Sequence, residues 1–124
     1  MNKIGIHYGC FVSNWMEEQL PLIKKVKSLG FDILEFGSDY LLSKDDDGLK
    51  RLKDEAAEND VSLIISLGLN TEQDIACPDS GYRKAGISIL TRAAKAMAKP
   101  GISDCSGILY CAWNGKIKNY QEKE

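Results

Sequence analysis

Strand-like apolar runs return at a steady interval along this chain, beginning near residues 3, 32 and 61. A spacing of about 30 residues is one strand plus one helix of a parallel α/β fold. The first run is Lys3 to Tyr8, the second Phe31 to Phe36, and the third Val61 to Leu67. The third is nearly unbroken, as in a strand buried on both faces of a parallel sheet. A fourth covers about Cys105 to Cys111. Helical patterns fill the gaps. One runs from about Met16 to Leu29, with Leu22, Val26 and Leu29 on one face and Lys24, Lys25 and Lys27 towards water. Gly30 follows where a left-handed residue commonly closes a helix. Ser43 is placed to cap the next, with Asp45, Asp46 and Asp47 in its first turn, and Leu49, Leu52 and Ala56 turned inward. Pro78-Asp79 opens the third, with Tyr82, Ala85, Ile89, Ala93 and Met97 inward, and Lys99-Pro100-Gly101 stops it.

The order is therefore βαβαβαβ, which is compatible with a doubly wound sheet or with a barrel. The usual nucleotide cradles are missing, because the loop after the first strand reads Gly9-Cys10-Phe11-Val12-Ser13-Asn14-Trp15, with no Gly-x-Gly-x-x-Gly or Gly-Lys-Ser/Thr. A (β/α)₈ barrel takes about 250 residues, and this chain has 124. The organisation reads as one half of such a barrel, 1–124, cut off after its fourth strand, with a polar tail from Asn114 to Glu124.

Charge narrows the function. Sixteen basic residues against eighteen acidic give a net charge of −2 and a pI near 5.5. That balance excludes a strongly basic grip on nucleic acid and gives no polybasic patch for a membrane surface. No apolar run is long enough to span a bilayer, and the N-terminus lacks the pattern of a secretory signal, so the expected compartment is the cytoplasm. Cys10, Cys77, Cys105 and Cys111 form no CxxC pair and read as reduced, small apolar residues. The aspartates at 45–47 read as a helix start, not a metal loop.

Four segments carry a family resemblance. They are Asn2-Lys3-Ile4-Gly5-Ile6-His7-Tyr8 with Trp15 after it, Leu29-Gly30-Phe31-Asp32-Ile33-Leu34-Glu35, Cys77-Pro78-Asp79 with Arg83, and Gly107-Ile108-Leu109-Tyr110-Cys111-Ala112-Trp113. In this order and spacing they resemble the N-terminal half of the ketose 3-epimerases (D-tagatose and D-psicose 3-epimerases) of the xylose-isomerase-like TIM-barrel superfamily. The resemblance implies a metal-dependent isomerase that inverts C3 of a free ketohexose. In that family a divalent ion, usually manganese or cobalt, stabilises the charge of an enediolate, while two glutamates on opposite faces of the sugar move the proton. The family's metal ligands lie on later strands, so the resemblance implies that this chain supplies none of them and is inactive alone.

Carried over by position, the resemblance makes His7, Trp15, Ser66, Ile108 and Trp113 substrate-binding residues. His7 stands where the family has Phe or Tyr and adds a hydrogen-bond donor. Ser66 and Ile108 take small positions on the third and fourth strands, and the two tryptophans enclose the far end of the sugar. Glu35, at the end of the second strand and facing the barrel mouth, is expected to support the site without ligating a metal. Hydroxypyruvate isomerase, inosose dehydratase and endonuclease IV-like enzymes share the superfamily. A non-catalytic half-barrel that self-associates through its exposed sheet edges is the reading from a different class, and a homo-oligomer is expected on that ground.

Overall fold

The computed structural model describes residues 2–115. Four parallel strands, β1 (Gly5–His7), β2 (Ile33–Gly37), β3 (Ser62–Leu69) and β4 (Cys105–Ala112), lie side by side in the order 1-2-3-4. Each new strand is added on the same side of the last. Right-handed crossovers then bring every helix to the same face of the sheet. A doubly wound sheet needs a reversal of strand order, so the ambiguity of the sequence resolves in favour of a singly wound half-barrel.

The helices are α1 (Leu20–Ser28), α2 (Ser38–Leu42), α3 (Asp46–Glu58) and α4 (Ser80–Ala98). Side chains alternate along a strand, and here one set is buried: Leu34 and Phe36 on β2, and Leu63, Ile65, Leu67 and Leu69 on β3. They pack with Leu22, Ile23 and Val26 of α1, Leu49 and Leu52 of α3, and Ala93 and Met97 of α4 into one core. The opposite set includes Ile64 and Ser66, half-buried, and Gly68, exposed. Within the described residues β3 is thus fully buried on one face, not both.

Several boundaries move from their sequence positions, for local reasons. α1 begins at Leu20 and not near Met16, because side chains compete with the helix for the backbone before it. Glu17 Oε1 accepts from the N–H groups of Ser13 (2.7 Å) and Asn14 (2.8 Å), and Asn14 Oδ1 accepts from Met16 N–H (2.9 Å). At the other end Leu29 is the C-cap and is exposed, so the buried stripe ends at Val26; Gly30 follows with φ of +87°, as expected of a helix close. The short α2 is additional, since five residues are too few to display a helical period. Ser43 ends α2 instead of capping α3, and its hydroxyl donates to Tyr40 O (2.7 Å). The α3 cap is Asp45, whose carboxylate accepts from Gly48 N–H (2.8 Å).

On α4 the cap is Asp79 as expected, accepting from Gly81 N–H (2.7 Å) and Tyr82 N–H (3.1 Å). Tyr82 and Ala85 are exposed, however, and the inward face runs through Gly86, Ile89, Leu90, Ala93 and Met97. β1 is shorter than its apolar run, because Tyr8 leaves the strand in a single 3₁₀ turn through Cys10. The predicted tail lies outside the described residues from 116 onward.

Candidate functional site

Register fixes which side chains share the uncovered face of the sheet. His7 pairs with Glu35, Glu35 with Ile64, Gly37 with Ser66, Ser66 with Ser106, and Gly68 with Ile108. In-register partners of a parallel sheet point the same way. His7, Glu35, Ser66 and Ile108 therefore lie on one face with Ser106: His7 ends β1, Glu35, Ser66 and Ile108 sit mid-strand, and Ser106 is the second residue of β4. Trp15 and Trp113 follow the C-terminal ends of β1 and β4, the end at which barrel enzymes carry their sites.

His7 ends β1 and turns the chain. Its Nδ1 accepts from Gly9 N–H at 3.0 Å, which leaves Nε2 to carry the ring proton and donate it. The imidazole contacts the buried Tyr8 ring at 4.6 Å between centroids and Trp15 at 6.1 Å, and Trp15 meets Tyr8 edge-on at 5.5 Å. Burial, with the Asp39 charge behind it, pushes the Tyr8 phenol above its ordinary pKa and keeps it neutral. Trp15 remains 64% exposed, a flat aromatic surface at the rim.

Glu35 is not the last residue of its strand: β2 continues to Gly37, and Glu35 sits in its middle. Its carboxylate accepts a hydrogen bond from the Ser106 hydroxyl, 71 residues on and two strands away. The sequence reading did not single out Ser106. Only its position in register with Ser66 across β3 and β4 reveals it. Cys105 next to it is half-buried, and that burial, with the Glu35 charge second, raises its thiol pKa and keeps it protonated.

Trp113 follows β4 and is 60% exposed. Its backbone N–H donates to Leu69 O at 2.6 Å, which seats it beside the end of β3. The register between β3 and β4 shifts there, between Gly68 and Leu69. The predicted strand residues thus share one face, with Trp15 in the loop after β1 and Trp113 after β4. A cavity of about 490 Å³ opens at the opposite ends of the strands, lined among others by Asp60, Ser62, Ser103 and Asp104. None of the predicted site residues lines it.

Among the described residues no three His, Cys, Asp or Glu side chains converge to hold a metal ion, and no helix is long and apolar enough to cross a membrane.

No family model matches the chain. Over 111 residues, 90% of its length, it is 32% identical to the D-psicose 3-epimerase of Ruminiclostridium cellulolyticum, of which it covers 38%. It is 31% identical over 121 residues to the ketose 3-epimerase of Arthrobacter globiformis, covering 39% of that protein. The chain is a homologue of the ketose 3-epimerases. It spans about two-fifths of the length of these curated relatives.

The structures agree. A D-psicose 3-epimerase crystallised in the presence of D-fructose superposes on 95% of this chain with a TM-score of 0.89, at 27% identity and 41% of its own length. The expected architecture holds: four parallel strands with alternating helices match the N-terminal half of a TIM-barrel epimerase.

Proposed function

We propose that this chain forms the sugar-facing N-terminal wall of a ketose 3-epimerase, an isomerase acting at C3 of a free ketohexose. One observation carries the reading. The uncovered sheet face collects an imidazole donor, two serine hydroxyls, a carboxylate and an apolar side chain in register across its four strands, with two exposed tryptophans beyond the C-terminal ends of the outer two. Such a surface suits a polyhydroxylated ligand. Indole faces pack on C–H surfaces, while hydroxyls and imidazole exchange hydrogen bonds with sugar oxygens.

In this reading His7 offers its Nε2 proton to a sugar oxygen. Ser66 and Ile108 shape the floor, and Trp15 and Trp113 exclude water from the far end of the sugar. Glu35, held by Ser106, supports that floor. The described residues do not fit the manganese or cobalt ion that the family resemblance implies, since no ligand set assembles among them. Proton transfer at C3 likewise needs carboxylates on both faces of the sugar, and this wall presents Glu35 on one. The chain's part is therefore binding and orientation, and the remaining barrel strands are its structural partner. The cytoplasm is the compartment we assign.

The test is complementation. Residues 2–115 replace the matching segment of the Ruminiclostridium cellulolyticum enzyme, and conversion of D-fructose to D-psicose is followed by chromatography with added manganese. Conversion by the chimera, and none by the 124-residue chain alone, is the expected outcome. A correctly folded chimera with no activity on D-fructose, D-tagatose or D-psicose overturns the proposal, and turnover by the chain alone overturns the division of labour.

A further inference from the structure

Gln19 is the most deeply buried polar side chain described, at 1% exposure. It occupies the N-cap position of α1, where Ser, Thr, Asp or Asn normally bond the helix's first free N–H groups, yet its side chain makes no cap bond. Instead the amide turns towards the sheet. Its Oε1 accepts from Gly37 N–H at the end of β2 (3.1 Å), and its Nε2 donates to the carbonyl of Trp15 (3.4 Å). A local rule of helix starting is given up, and the group that breaks it reaches the rim of the candidate site.

The segment between is already stiff. Glu17 and Asn14 hold the backbone of residues 13–17 through their own hydrogen bonds. Glu18 ties the next residue to α2, accepting from the Tyr40 hydroxyl and from Lys44 Nζ (3.3 Å). This small wired loop hangs from the sheet by Gln19, which links the backbone of Trp15 to the backbone of Gly37. Only a side chain that both donates and accepts can make that link. A buried amide with either half unpaired would be costly.

We propose that Gln19 is a positioning residue: it anchors Trp15 against His7 and Tyr8 and so sets the width of the pocket rim and the affinity for the ketose. The affinity clause rests on the reading of Trp15 as a sugar-facing residue; the anchoring clause does not.

The two are tested separately. In the 124-residue chain carrying Trp113→Phe, Trp15 is the remaining tryptophan, and its fluorescence anisotropy and acrylamide quenching report how firmly the ring is held. Gln19→Leu should lower the anisotropy and raise quenching about twofold while far-UV circular dichroism stays unchanged. Gln19→Glu keeps the acceptor for Gly37 and loses the donor to Trp15, so it should fall between. If Gln19→Leu does not fold, Gln19→Glu alone decides. A Trp15 signal identical to the parent in the folded variant overturns the proposal. In the chimera described above, with Trp113 intact, Gln19→Leu should raise KM for D-fructose several-fold with kcat within about twofold, the pattern of lost uniform binding. An unchanged KM overturns the affinity clause. A chimera with no activity at all sinks the functional reading and leaves the anisotropy result to decide the anchoring.

Discussion

Glu18 shows how one exposed side chain couples the site loop to the scaffold. Partial burial works against its charge. Hydrogen bonds from the Tyr40 hydroxyl, Leu20 N–H and Lys44, together with the Lys44 charge, outweigh it and hold the carboxyl below its ordinary pKa of 4.5. Burial, with the Glu18 contact second, pushes the Tyr40 phenol far up, so Tyr40 donates at every physiological pH. Lys44 Nζ also sits 3.9 Å from the centre of the Tyr40 ring. A carboxyl whose pKa is lower folded than unfolded contributes stability above the unfolded value and loses it as pH falls through the folded one. Melting temperature should therefore drop as pH is lowered below about 4.5. Glu18→Gln should flatten that part of the profile, which melts followed by circular dichroism between pH 3 and 6 would show. The pair is half-exposed, so the effect at neutral pH should stay under about 1 kcal/mol. An unchanged acid limb would mean the pair is not formed in solution. No sequence pattern links residues 18, 40 and 44, or Gln19 to Gly37, or Glu35 to Ser106. Each contact joins groups from separate segments of the chain, so the partners of the candidate site emerge only with the fold, whereas His7, Ser66 and Ile108 are named by the family resemblance, and Ser66 and Ile108 by that alone.

On α4 the helix ends proved more readable than the helix face, whereas the starts of α1 and α3 moved. Asp79 and the Lys99-Pro100-Gly101 stop are local signals, set by a few residues and their own backbone. The face of α4 is decided elsewhere, by the turn that precedes it. A Cβ built on Gly86 would lie 2.2 Å from Gln73 O and 2.6 Å from Ile75 Cγ2. The helix therefore seats against residues 73–75 at Gly86, which rotates Tyr82 and Ala85 outward and brings Leu90 in. A periodicity that ranks residues by hydrophobicity gives a glycine no weight and misses this contact. Gly86→Ala makes the argument quantitative. Helix propensity alone favours alanine by about 1 kcal/mol. The clash is with a backbone carbonyl, which cannot swing aside, and overpacking of this kind costs about 1–3 kcal/mol or more. The net change expected in urea denaturation is a loss of up to about 2 kcal/mol, opposite in sign to propensity. A stabilised Gly86→Ala protein would show that α4 does not seat there.

At the scale of the whole molecule the fold is open where a barrel is closed. Among the described residues β1 and β4 are the outer strands, each with one unpaired edge. The face between them is uncovered among the described residues, and Trp15, Tyr110 and Trp113 stand exposed. In the relatives the chain length beyond the matched two-fifths is available to cover that face. Among the described residues nothing covers that face, and unpaired backbone on an outer strand is a template for another strand. A second copy is the partner always at hand, and its own four parallel strands offer the same edges. The chain alone should therefore run as a dimer or larger species in size-exclusion chromatography with light scattering, with a mass that rises with concentration. Tyr110 is the most exposed of these side chains, at 71%, and lies on the outer strand β4. Tyr110→Lys places a charge on that edge, a substitution that opposes strand pairing, and should shift the distribution towards a 13.7 kDa monomer. A concentration-independent monomer that melts cooperatively would instead mean that the four-stranded sheet satisfies its own edges, and the case for closure by a second copy would fall.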